Sequence, residues 1–151
     1  MGAYFEGMRV AAKFTVSSEP GNERFAAERV RQILTGVEAD DPQLDRLQTA
    51  VAEATLNAME HGNHFQPDSP VLIRVEADDN EVRVSVTDGG RGAGSPYEEP
   101  DLDRKLAGLQ SPRGSGLFLI REMVDSVSDE VVAGRQTVHL SVRLKPGQVA
   151  S

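Results

Sequence analysis

The length, composition and charge of this chain exclude several classes of protein. Its 151 residues, with no cysteine, leave room for one domain with a real core and exclude a disulfide framework, a thiolate metal site and a cysteine nucleophile. The formal charge of -8 argues against a nucleic-acid binder, because affinity for a phosphate backbone depends on clustered Lys and Arg. No apolar run approaches the roughly 20 residues that span a bilayer, and residues 1–7 lack a signal-peptide pattern, so a cytoplasmic location is expected.

The first elements predicted along the chain are a strand and a helix. Apolar and polar residues alternate over residues 8–16, which is typical of a strand. Ser18 and Pro20 then offer a cap and an early helical proline for a helix over residues 22–34. The side chains of this helix that we expect to face the core are Phe25, Val30, Ile33 and Leu34.

A second helix is predicted between Asp41, as the N-cap, and Gly62, as a left-handed C-terminal cap that follows His61. Its apolar residues recur at steps of three and four, at Leu44, Leu47, Val51, Ala54 and Ala58. Glu53 and Asn57 lie four positions apart beside this buried stripe, so the spacing points both side chains at one ligand.

The Glu53 and Asn57 pair suits phosphate chemistry, although a solvated helix face would show the same pattern. A carboxylate can accept a proton from an attacking hydroxyl, and an amide oxygen is a hard ligand suited to Mg²⁺ beside phosphates. His61 and His64 indicate capping or hydrogen bonding rather than a metal site, because no further His or Cys lies at ligand spacing.

The second half of the chain predicts two hairpins around a long loop. Strands over residues 71–77 and 82–86 flank a turn at residues 78–80, and strands over residues 131–133 and 137–144 close the domain. Between them, residues 91–113 are rich in Gly, Pro and acidic residues and predict a lid or a disordered segment, with one short helix over about 102–109. A helix from about Gly116 is marked by Leu117, Ile120, Val124 and Val127.

Asp88 ends a strand directly before a glycine-rich segment. Its carboxylate can accept a hydrogen bond from the exocyclic amine of adenine, while Gly90 and Gly92 let the main chain approach a base or ribose. A plain turn is the alternative reading of these residues.

A second glycine-rich segment opens the helix that follows the loop. The free N–H groups at a helix start, together with a guanidinium, favour phosphate, although the segment can equally be an ordinary helix start. It is not a P-loop, because no Lys-Ser/Thr pair follows the glycines. The candidate phosphate-binding residues are Arg113, Gly114, Ser115, Gly116 and Leu117, with Arg91 and Lys105 as further candidates from the loop.

The order of these segments resembles that of the Bergerat-fold ATPases, the superfamily of DNA gyrase, the histidine kinases and MutL. It most resembles the stand-alone anti-sigma-factor serine kinases of bacteria, from about residue 9 to residue 144. The resemblance implies an α/β fold of two layers (α+β), in which a mixed, mostly antiparallel sheet is covered on one face by helices. We expect the ATPase domain over residues 8–146, with an extension at 1–7, a lid at about 91–113 and a tail at 147–151.

The resemblance also implies a role for each matching residue. Glu53 would be the catalytic base, Asn57 the Mg²⁺ ligand and Asp88 the adenine-binding carboxylate. Gly90 and Gly92 would shape the adenine pocket, Gly114 and Gly116 would hold the phosphates of ATP, and Thr137 would support the adenine site.

The function implied is transfer of the γ-phosphoryl group of ATP to a serine or threonine of a STAS-domain anti-anti-sigma protein, coupled to sequestration of a sigma factor. Relatives with a transducer domain or a phosphoacceptor hairpin would not fit in 151 residues. Two alternatives stay open. One is a nucleotide-gated binding module without turnover, and the other is a switch kinase that controls a PP2C-type phosphatase. A homodimer is also compatible with the sequence.

Overall fold

A five-stranded sheet is the framework of the protein. The computed structural model describes residues 8–37, 39–89 and 112–144. The strands are β1 (Met8–Val16), β2 (Val71–Asp78), β3 (Glu81–Thr87), β4 (Ser126–Val132) and β5 (Arg135–Arg143), in the spatial order β1-β2-β3-β5-β4. All four neighbouring pairs within these described strands are antiparallel, which confirms the expected mostly antiparallel sheet.

Within the described residues, three α-helices pack on one face of this sheet and complete the predicted two-layer α+β architecture. They are α1 (Asn22–Ile33), α2 (Asp41–Asn57) and α3 (Pro112–Met123), with α2 packed between the other two. The central strands turn alternate residues towards the helices, so the Val and Ile side chains of β2 and β3 on that face are between 0% and 1% exposed. The helices contribute Val30, Leu47, Val51 and Ile120 to the same core, and Leu34, the C-cap of α1, joins them.

Both predicted hairpins form, because each has a turn suited to its residues. Between β2 and β3, the Asp78 carboxylate accepts hydrogen bonds from the backbone N–H groups of Asn80 and Glu81 at 2.7 and 2.9 Å. Between β4 and β5, Ala133 and Gly134 have φ angles of 55° and 81°, the pattern of a two-residue turn that matches strand twist. Ala133 is therefore a turn residue, and the prediction that placed it in a strand over residues 131–133 is wrong.

The start of α1 differs from the prediction. Its N-cap is Gly21, with φ 103° and no side-chain cap, so Ser18 and Pro20 do not cap the helix. Phe25 is 55% exposed, and its expected place in the core is wrong. It lies five residues before Val30 and thus about 140° away around the helix, whereas Leu34 shares the buried face with Val30.

Both ends of α2 also differ from the prediction. The N-cap is Asp40, not Asp41, and a capping box joins its side chain to Gln43. At the other end the chain does not stop in a left-handed glycine. It continues through a π-helical turn, Ala58–Gly62, in which the N–H of Asn63 bonds to the carbonyl of Ala58 at 2.9 Å. Such wider turns occur often at functional sites.

The helix α3 begins earlier than expected. It starts at Pro112 instead of near Gly116 and ends at Met123, so Val127 belongs to β4 and not to the helix. Its residue Ile120 is 1% exposed and joins the core as predicted.

Candidate functional site

A cleft opens on the helix-covered side of the sheet, where α2 ends. It encloses about 670 Å³, including the part open to solvent. Its apolar floor comes from Val86 of β3, Val138 of β5 and Ile120 of α3. The polar side chains that line it are those of Asn57, Asp88, Arg121, Asp129 and Gln136. This combination of an apolar floor and a few polar groups is typical of a site for a small organic ligand.

Asn57 is the last residue of α2 and half-buried in the wall of the cleft. Glu53 lies one helical turn earlier, is also half-buried, and does not itself line the cleft. Within the described residues, no hydrogen bond or ion pair engages either side chain. A carboxylate and a carboxamide on one helix face can therefore both turn to a ligand.

Asp88 follows the last residue of β3 and is only 8% exposed. Its N–H bonds to the carbonyl of Gln136 at 3.1 Å, and its carboxylate accepts a hydrogen bond from the N–H of Gln136 at 3.3 Å. The strand pairing with β5 thus continues through Asp88 and fixes the carboxylate against the floor of the cleft. Such a buried acceptor is suited to a donor of a bound ligand, such as an exocyclic amine.

Gly62 makes the position of Asp88 possible. A Cβ atom on Gly62 would lie 2.3 Å from Oδ2 and 2.6 Å from Cβ of Asp88, well inside van der Waals contact. The π-helical turn and the end of β3 therefore meet without a side chain between them. The glycine was predicted as a helix cap, and its role in the structure is this close approach.

Thr137 does not reach the cleft. Its hydroxyl hydrogen-bonds that of Thr87 at 2.7 Å, from the strand position next to Gln136 and Val138. Because side chains alternate along β5 and these two neighbours line the cleft, Thr137 points to the opposite face of the sheet. The residue of β5 that the structure brings to Asp88 is Gln136.

The candidate phosphate-binding segment lies in the first turns of α3. The backbone of residues 113–117 is helical, so Arg113, Gly114, Ser115, Gly116 and Leu117 form the first turns of α3. The residues of this helix that line the cleft are Ile120 and Arg121, further along it. The other residues predicted for the site, Gly90, Arg91, Gly92 and Lys105, lie outside the described residues together with the lid and its short helix. The extension at 1–7 and the tail at 147–151 do so too.

The two histidines after α2 do not form a metal centre. His61 lies 3.7 Å from the carboxylate of Glu60, and no group of three or more metal-ligating side chains exists in residues 8–37, 39–89 and 112–144. No helix in the same ranges is long and apolar enough to cross a membrane.

The sequence analysis missed the polar side chains that Arg121, Asp129 and Gln136 contribute to the cleft. It also missed the supporting roles of Gly62, which packs against Asp88, and of Asn63, which hydrogen-bonds Gly89. A signal for Gln136 was available, because Val138, Leu140 and Val142 show which residues of β5 face the helices, and Gln136 continues that series. No local signal marks Asn63, because two of its partners, Ser18 and Gly89, come from distant parts of the chain.

A model described as a histidine kinase-like ATPase domain matches residues 16–142. The chain belongs to this family. The family match supports an ATPase-type domain over most of the chain. The recognition of a Bergerat-type ATPase from the order of three short segments is thereby confirmed.

Relatives of this ATPase domain include proteins named anti-sigma F factor. One from Heyndrickxia coagulans is 30% identical over 149 residues, which are 91% of this chain and 90% of the relative. Another, from Oceanobacillus iheyensis, is 28% identical over 128 residues, or 80% of this chain and 82% of the relative. The predicted similarity to anti-sigma factors is therefore found along most of the chain.

A solved structure shares the fold. It contains the RsbU and RsbW domains of Rv1364c from Mycobacterium tuberculosis, and it matches with a TM-score of 0.64 at 22% identity. The match covers 90% of this chain and 33% of that chain, so this chain spans about a third of that protein. The likeness shows the two-layer ATPase fold.

Proposed function

We propose that this chain is an ATP- and Mg²⁺-dependent serine/threonine protein kinase of the anti-sigma-factor type. It phosphorylates a STAS-domain anti-anti-sigma protein in the cytoplasm and sequesters a sigma factor. The observation that carries the proposal is the convergence of Asn57, from the end of α2, and Asp88, from the end of β3, on one cleft. The relatives named anti-sigma F factor support the class of partner.

Residues at two places in the cleft support the binding of a nucleotide. The buried carboxylate of Asp88 would accept a hydrogen bond from the adenine amine above the apolar floor of Val86 and Val138. The carboxamide oxygen of Asn57, with no partner among the described residues, would hold Mg²⁺. When bound, the ion neutralises part of the phosphate charge. Arg121 lines the same cleft and adds a positive charge on the side of α3.

Glu53 is the proposed general base. It would accept the proton of the serine hydroxyl while the serine oxygen forms a bond to the γ-phosphorus and the bond from that phosphorus to its bridging oxygen breaks, which releases ADP. One helical turn separates Glu53 from Asn57, so the base lies beside the phosphate end of the site. Its lack of a partner in the described part of the chain leaves the carboxylate able to turn to the acceptor.

The test separates chemistry from binding. We expect Glu53→Gln to bind ATP within about threefold of the wild type, while phosphorylation of the partner falls by a factor of about 100 or more, the usual contribution of a general base. Glu28→Gln makes the same change on the exposed side of α1 and should alter neither quantity. Phosphorylation by Glu53→Gln at the wild-type rate would remove Glu53 from the base role.

A second experiment identifies the partner. The wild-type chain is incubated with native lysate and radiolabelled ATP, or with ADP, and the captured proteins are analysed for new phosphoserine and phosphothreonine. A labelled STAS-domain protein and a captured sigma factor support the proposal. A captured PP2C-type phosphatase would instead indicate a switch kinase. ATP-dependent capture of a protein that carries no radiolabel would indicate a binding module without turnover. Light scattering of the purified chain tests the predicted homodimer.

A further inference from the structure

We infer that Asn63 is a positioning residue that sets the nucleotide selectivity of the cleft by holding the main chain next to Asp88. This inference rests on the proposed function, because it assigns the purpose of a hydrogen bond made directly beside the proposed adenine-binding carboxylate. Asn63 lies after the π-helical turn, outside the cleft, and is 0% exposed.

The Asn63 carboxamide is fully used. Its amide nitrogen donates to the carbonyl of Ser69 at 2.8 Å, to the hydroxyl of Ser18 at 3.0 Å and to the carbonyl of Pro70 at 3.3 Å. Its oxygen accepts the N–H of Gly89 at 2.7 Å. The orientation of the amide is therefore determined, because a flipped group would set its donors against the N–H of Gly89 and its oxygen against the carbonyl oxygens.

The bond to Gly89 acts at the point where the chain leaves the sheet. The regular pairing of β3 with β5 ends with Thr87 opposite Thr137, and Asp88 is the last residue tied to β5. Gly89 is the next residue, and its N–H goes to Asn63 instead of to a strand. Asp88 is thus held on both sides, by Gln136 and through Gly89 by Asn63, and the backbone after it cannot rotate freely.

This rigidity bears on the choice between adenine and guanine. A carboxylate only accepts hydrogen bonds, so a fixed Asp88 favours the 6-amino group of adenine and opposes the 6-oxo group of guanine. A site built around a hydrogen bond rejects an analogue that lacks it most strongly when its own group cannot move away. Loss of the Gly89 bond lets the Asp88 segment shift, which weakens ATP binding and relieves the repulsion of GTP.

Ser18 provides a matched control. Its hydroxyl belongs to the same buried network and donates to the carbonyl of Ser69 at 2.5 Å, whereas the N–H of Gly89 is bonded to Asn63 and not to Ser18. Ser18→Ala therefore removes a buried hydrogen bond and leaves Asn63 held by Ser69 and bonded to Gly89. Both substitutions destabilise the fold, and only the one at Asn63 releases the chain beside Asp88.

The experiment measures the ratio of the dissociation constants for GTP and ATP by calorimetry on the purified chain at low temperature. Because the folded fraction affects both constants equally, the ratio does not respond to a general loss of stability. We expect Asn63→Ala to lower this ratio at least fivefold, and Ser18→Ala to leave it within twofold of the wild type.

The outcomes are distinguishable. If Asn63→Ala does not fold, Asn63→Ser replaces it, since its hydroxyl is too short to reach Gly89 and the same fall is expected. An unchanged ratio in the Asn63 variants, or an equal fall in Ser18→Ala, overturns the inference. A wild-type chain that binds neither nucleotide, or does not prefer ATP, contradicts the proposed function itself.

Discussion

Substitution of Gly62 by alanine is the sharpest perturbation of the site, because it places one methyl group against one functional side chain. The added Cβ would lie 2.3 Å from Oδ2, 2.6 Å from Cβ and 2.7 Å from Cγ of Asp88. The whole side chain is therefore in the way and not only its flexible end. Ordinary contact requires a separation about 1 Å greater, so Asp88 must move by about that distance.

The structure sets the size of the effect. A shift of about 1 Å breaks the hydrogen bond between Asp88 and Gln136, which is already 3.3 Å long, and moves the carboxylate out of register with a donor on the base. A hydrogen bond to a charged group contributes about 1.5–3 kcal/mol, so ATP affinity should fall by a factor of about 10 to 100. Overpacking costs about 1–3 kcal/mol, and the higher helix propensity of alanine offsets up to about 1 kcal/mol of this, so the net loss of stability lies between about 0 and 3 kcal/mol.

Gly36→Ala is the matched control, because a Cβ on Gly36 would meet nothing within 4 Å. Calorimetric titration with ATP, well below the unfolding midpoint, and urea unfolding are carried out on both variants and the wild type. We expect the Gly36 variant to match the wild type in both measurements. Wild-type ATP affinity in Gly62→Ala would refute the claim that Asp88 has to stay in place to bind the base.

Three further predictions concern the fold and the placement of side chains. Asp40→Ala should lower the free energy of unfolding by about 1 kcal/mol in urea, because it removes the N-cap of α2; an unchanged midpoint would contradict that cap. Leu34→Ala should cost about 2–5 kcal/mol and Phe25→Ala less than about 0.5 kcal/mol, since they are 0% and 55% exposed, and equal losses would contradict the orientation of α1. Thr137→Val should leave ATP affinity within twofold of the wild type by calorimetry, because the Thr137 side chain lies on the far face of the sheet. A tenfold loss of affinity would show that Thr137 does support the nucleotide site.

Periodic patterns made most of the fold predictable. Val82, Val84 and Val86 alternate with polar residues, and the same alternation in β2 gave the hairpin with its turn. Because this signal is repeated several times within each strand, one irregular residue does not obscure it. The signal at a helix boundary rests on only one or two residues, so neighbouring residues can be equally good candidates for the cap.

The caps illustrate this competition. Asp40 and Asp41 are adjacent and chemically identical, and Asp40 becomes the cap because Gln43 stands three positions after it and completes a capping box. In α1 the start is determined by the backbone of Gly21, not by a side chain, so neither Ser18 nor Pro20 serves as the cap.

Within the site, the sequence indicated the groups that carry chemistry better than those that support them. Asn57 and Asp88 follow from their types and from their places at the ends of a helix and a strand. The roles of Gly62 and Asn63 depend on contacts with Asp88 and Gly89, which only the folded chain brings near. Alternation along β5 was enough to place Thr137 on the face of the sheet away from the helices. The apolar residues on the other face, which include Val138, indicate that Gln136 faces the cleft.

The location of bound ATP is tested most directly by nuclear magnetic resonance. Amide spectra of the isotope-labelled chain are recorded as Mg²⁺ and ATP are added. We predict that the largest shift changes occur over residues 57–63, 86–89 and 136–138, which surround the cleft, and that amides at the opposite end of α2, near Gln43 and Arg143, change little. Saturable binding of ATP with its largest changes near Gln43 and Arg143, or no binding at all, would contradict the assignment of this cleft as the nucleotide site.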